Sequence, residues 1–171
     1  HYMDIQPFID IEAKIEKGKL IFTFTANGNE ITDLRILDFI TKIEKIVQDL
    51  NQDSIQIVYF LFDIERLVIP TNFSSIKLFA DTMNQYKDLL NKKLGFTVVQ
   101  TPNNVFRLFF SLFKKYYNPV KSLYLCKTKE ESDSCLHNAK TRDQFPNIMS
   151  MLLEKDSSCC SDGCAANDAS A

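Results

Sequence analysis

A chain of 171 residues, 45% hydrophobic and 25% charged, has the composition of one globular domain with an ordinary core. Its 20 cations against 22 anions leave a formal charge of −2, too little field to steer nucleic acid, so a nucleic-acid partner is not expected. No apolar run approaches the ~20 residues of a membrane-spanning helix, and no basic-then-apolar pattern marks a signal peptide. The expected location is cytoplasmic, with peripheral membrane contact allowed.

His1-Tyr2-Met3 reads as an affinity-tag remnant, followed by a single α/β domain over 4–155 and a cysteine-containing tail over 156–171. In FIDIEAKIE, Ile9, Ile11, Ala13 and Ile15 alternate with Asp10, Glu12, Lys14 and Glu16, the period of an edge strand with one wet face. Lys17-Gly18 separates it from KLIFTFT, and so short a connection with a glycine predicts a tight antiparallel hairpin. Thr32 is the expected N-cap of a helix over DLRILDFITKIEKIVQDL, with Ile36, Leu37, Ile40, Ile43, Val47 and Leu50 on its apolar stripe. The nearly continuous apolar run IQIVYFLFDI then has the signature of a central parallel strand covered on both faces.

The segment FSSIKLFADTMNQYKDLLNKKL predicts a second long helix, with Gly95 suited to a positive-φ position just past its end. GFTVVQ is a buried strand, TPNNVFRLFFSLFKKYYNP a third helix, and KSLYLC a further strand. Thr128 and Glu131 have the spacing of a capping box before a short helix to about Cys135, and Pro146 suits the first turn of a last helix, NIMSMLLEK. The order ββαβαβαβαα implies a mixed, mainly parallel sheet with helices on both faces.

This order resembles the STAS domain of bacterial anti-sigma-factor antagonists and the related ligand-binding lobe of CRAL-TRIO lipid-transfer proteins, over roughly Phe8 to Leu136. The CRAL-TRIO likeness is the closer in the second half, carried by YFLFDI, VVQTPNNVF and FRLFFSLFKKYYNPVKSLYL. Two departures stand out. The phosphorylated serine of a STAS switch falls on Phe73 in PTNFSSIKL, and only a shift brings Ser74 or Ser75 into place, so that switch is expected to be absent. The chain also has no room for the N-terminal helical lobe of typical CRAL-TRIO proteins, so any lipid cavity is reduced or completed by a partner.

The resemblance implies a non-catalytic binding domain whose 103–117 helix gates a lipid or other apolar ligand, with no cofactor. Phe106, Phe109, Phe110, Phe113 and Tyr117 give that helix more ring area than one buried face uses, and Lys114 and Lys115 stand beside them. The surplus rings meet either a lipid or a neighbouring protein surface. The lysines either bind phosphate head groups or complement the helix dipole. The alternative is a STAS-like protein-interaction module within a larger assembly.

Asp63 and Glu65, spaced by two at the end of the central strand, have the spacing of an acid–base pair, but no histidine or phosphate loop accompanies them, and an enzyme is not expected. Cys135 and His137 fall short of the ligands zinc needs. Five cysteines without a signal peptide argue for reduced thiols. Cys159, Cys160 and Cys164 have the makings of a soft-metal, redox or acylation site, but their small polar surroundings read as a disordered tail with exposed thiols and no metal.

Overall fold

The computed structural model describes residues 4–16, 19–52, 54, 57–69, 74–102, 116 and 121–137. These form an α/β fold in which strands β1 (Ile9–Glu16), β2 (Lys19–Ala26), β3 (Val58–Asp63), β4 (Leu94–Gln100) and β5 (Leu123–Cys126) make one sheet in the order β1-β2-β3-β4-β5. β1 and β2 pair antiparallel, with Glu16 opposite Lys19, the register a two-residue hairpin requires. The other three pairings are parallel. β3 is central, as its apolar run predicts, because both of its sides carry neighbours and both of its faces are covered.

The register sorts the strand residues onto two faces. Ile9, Ile11, Ala13 and Ile15 share a face with Leu20, Phe22, Phe24, Phe60 and Phe62. On it Phe24 stacks on Phe62 at 4.4 Å and meets Phe60 edge-on at 5.3 Å. Helix α1 (Asp33–Asp49) lays Phe39 on this cluster, 6.2 Å from Phe24, and helix α2 (Ser74–Gln85) reaches Phe39 through Phe79 at 5.4 Å. On the opposite face Tyr59, Phe96 and Tyr124 run across β3, β4 and β5 at 4.9 and 5.2 Å. Edge-to-face and offset ring geometries are the favoured ones, so these two rows carry much of the core's packing energy.

Local signals behave largely as expected. The Thr32 hydroxyl accepts from Arg35 N at 3.2 Å and caps α1. At helix α4 (Lys129–His137) the Thr128 hydroxyl accepts from Glu131 N at 3.2 Å, while the Glu131 carboxylate reaches one residue further back than a capping box requires, to Lys127 N at 2.8 Å.

Three expectations need correction. The second long helix is two: α2 ends at Gln85 and helix α3 spans Lys87–Lys93. At the break, Tyr86 N bonds back three residues to Met83 O. The Tyr86 hydroxyl is drawn to α1, accepting from Gln48 Nε2 at 3.1 Å and donating to Glu44 at 3.3 Å. Gly95 is not a helix cap; it is buried inside β4, where the register with β3 slips, and a Cβ there would collide with the Tyr59 ring. A bulge brought against an aromatic ring needs a glycine for space, not for positive φ. Leu37 leaves the apolar stripe and is half exposed, because α1 rests on the sheet through Ile36, Phe39, Ile40, Ile43 and Val47. Lys17-Gly18, the 103–117 helix apart from Tyr116, the NIMSMLLEK helix and the tail lie outside the described residues.

Candidate functional site

At the C-terminal end of β3 the sheet and the first turns of α1 and α2 leave a hollow of about 70 Å³. Its walls come from separate stretches of chain: Phe8 and Ile9 ahead of and in β1, Ile31 before α1, Ile36 and Phe39 in α1, Phe62, Ile64 and Leu67 at and after the end of β3, and Ser75, Ile76 and Phe79 in α2. Among the described residues no charged side chain lines it. Apart from Ser75 the lining is hydrocarbon, and this is the end of an open α/β sheet at which ligands gather.

Local chemistry holds the rim in place. Gly28, at φ 92°, lets the chain turn back after β2, and the flanking amides of Asn27 and Asn29 donate to Pro7 O at 2.9 and 2.8 Å. The Arg35 guanidinium donates to Gln6 O at 2.7 Å and Glu30 O at 2.8 Å. Together these bonds clasp the segment before β1 to the loop that carries Ile31, so two sides of the hollow are fixed by backbone acceptors.

A second depression, of about 350 Å³, lies at the other end of the sheet between the β1–β2 hairpin and α4. Glu16, Lys19, Asp133, Ser134 and His137 line it over an apolar floor of Ile21 and Leu136. Its two carboxylates pair with lysines outside the lining: Asp133 with Lys129 at 3.0 Å and Glu16 with Lys14 at 3.5 Å. The hydrogen bond and charge of Asp133 raise the Lys129 amine above its usual pKa, with a smaller push from Glu16.

The ring and lysine set read from the sequence (Phe106, Phe109, Phe110, Phe113, Lys114, Lys115 and Tyr117) lies outside the described residues. Tyr116, from the same stretch, is half-buried against the core, and its carbonyl accepts from Asn84 Nδ2 at 3.0 Å beside the end of α2. Asp63 Oδ1 accepts from Glu65 N at 3.3 Å, which closes the turn after β3, and Glu65 is exposed. Cys135 is fully buried while His137 is exposed at the end of α4, and among the described residues no three metal-ligating side chains converge.

Cys126, buried at the end of β5, is disulfide-bonded, which corrects the expectation of reduced thiols at that position. Its partner is not among the described residues, where Cys135 is a buried thiol outside any disulfide. No described helix is long and apolar enough to cross a membrane.

The hollow itself was not anticipated. The available signal was positional: apolar residues clustered where the central strand ends and where the two following helices begin, at Phe62, Ile64, Ile76 and Phe79. No protein-family model matches the chain, and no curated protein or solved structure is significantly similar to it.

Proposed function

We propose that this chain is a non-catalytic binding domain of the CRAL-TRIO type, which takes up the apolar end of a lipid or other apolar molecule beneath the 103–117 segment. The observation that carries the reading is the uncharged, ring-walled hollow at the C-terminal end of β3. Small-molecule sites are typically ~300–1,000 Å³ with mostly apolar walls. At about 70 Å³ the described hollow holds only the tip of such a ligand. The remainder would lie against Phe106, Phe109, Phe110, Phe113 and Tyr117, with Lys114 and Lys115 toward any head group. The complete order ββαβαβαβαα, with helices on both faces, belongs to the same proposal.

The alternative, a STAS-like interaction module, draws support from the same volume, which suits a single apolar side chain of a protein partner. Native mass spectrometry of the purified full chain, with organic extraction, separates the two. Co-purifying lipid or uptake of a fluorescent fatty acid supports the first reading. An empty chain that takes up no lipid or probe sinks it and leaves the interaction module.

A further inference from the structure

β1 ends the sheet, and among the described residues its outer edge faces no strand. Asn27 N donates to Phe8 O at 3.1 Å, which makes Phe8 and Asn27 a hydrogen-bonded pair. Such pairs alternate along an antiparallel ladder. The backbone groups of Asp10, Glu12, Lys14 and Glu16 therefore turn toward β2, and those of Ile9, Ile11, Ala13 and Ile15 turn outward. This edge is 8 residues long, its register runs without a bulge, and it contains no proline. Ala13 is exposed and Ile15 is 75% exposed. Proteins normally blunt such an edge with bulges, prolines, charges or a covering element, because its free N–H and C=O groups template another strand. Here Lys14 is the sole basic residue on it.

We propose that β1 is a dimerisation edge, pairing antiparallel with β1 of a second copy so that the two sheets become continuous. A closed two-fold pairing of identical strands must be antiparallel, and each contact in it occurs twice. Opposite charges then meet across the two-fold axis. With the two-fold axis at Ala13, Ile11 faces Ile15 and Glu12 faces Lys14 of the other copy. Glu12 and Lys14 then occupy a non-hydrogen-bonded pair, where side chains approach most closely. Moving the axis to Glu12 sets that carboxylate against itself while Asp10 meets Lys14; moving it to Ile15 sets Lys14 against Glu16 but pairs only the last residues of the strand; moving it to Lys14 opposes two ammonium groups and sets Glu12 against Glu16. In the Ala13 register the like-charged contact, made twice, is Asp10 with Glu16 at the two ends, where the Lys14 ammonium, 3.5 Å from Glu16, offsets it. The same pairing covers Ile15, the most exposed large apolar side chain among the described residues.

The test is sedimentation velocity of the full chain from low to high micromolar concentration, with amide hydrogen exchange on the same samples. The wild type is expected to pass from monomer to dimer, with slowed exchange at Ile11, Ala13 and Ile15 as it does so. Ala13→Pro removes an outward N–H and no bond to β2, so it should abolish the dimer and keep the melting transition. Glu12→Lys and Lys14→Glu should each weaken the dimer by about tenfold, while an equimolar mixture of the two restores it, since each like-charged pair becomes an opposite one. If Ala13→Pro fails to fold, the charge reversals decide. A wild type that stays monomeric throughout, or a dimer indifferent to these substitutions, overturns the proposal.

Discussion

Filling the hollow at the end of β3 should move stability and ligand uptake in opposite directions. Ile31 lies on its rim, half-buried in a loop, so a larger side chain there can enter without displacing a helix. If Ile31→Phe fills half of the 70 Å³, it should recover about 0.8 kcal/mol at about 24 cal/mol per Å³ of cavity. For a domain of this size that is a rise of roughly 2–3 °C in melting temperature. The same ring occupies the space an acyl tip would use, so fluorescent fatty-acid uptake by the full chain should fall at least several-fold. Calorimetry and probe titration on one preparation read both quantities. A variant that is destabilised, or that gains stability while uptake stays at the wild-type level, refutes the assignment of this hollow as the ligand's entry point.

Gly95→Ala should cost about 1–3 kcal/mol in urea unfolding, because the new methyl meets the Tyr59 ring in a close-packed core. In a double-mutant cycle Tyr59→Leu should recover part of that loss, whereas a positive-φ cap would show no such coupling. Thr32→Ala, which removes the hydroxyl that accepts from Arg35 N, should cost about 1 kcal/mol by thermal unfolding. Native material should carry no stoichiometric phosphate at Ser74 or Ser75, since Phe73 takes the modifiable position in the ungapped alignment and Ser75 is buried in the first turn of α2; intact-mass and peptide analysis read this, and phosphate there with altered partner binding would favour the antagonist-like module. Among Phe106, Phe109, Phe110 and Phe113 changed singly, a lipid-facing ring should lose liposome binding and keep its melting temperature, while a core ring should lose both. Losses of binding strictly proportional to losses of stability would defeat the gate.

What was legible in the chain was whatever depends on neighbours in sequence. The strand assignment of β1, the spacing that closes its hairpin with β2, and the hydroxyl caps Thr32 and Thr128 involve residues a few positions apart, so the pattern and the structure agree there, whereas the apolar face of β1 is covered at Ile9 and exposed at Ala13 and Ile15. The central place of β3 was legible too, because a strand covered on both faces must be apolar on both. Tertiary structure decided what depends on distant partners. Gly95 reads as a helix cap until Tyr59 from β3 is laid against it. The helix after β3 reads as continuous until Glu44 and Gln48 of α1 hold the Tyr86 hydroxyl at its break. The hollow exists only because five separate stretches, from Phe8 to Phe79, meet at one end of the sheet without filling it. β1 shows the division within one element. Its alternation sorts side chains onto two faces, but only the ladder with β2 determines which backbone groups are satisfied and which are turned outward to meet another strand.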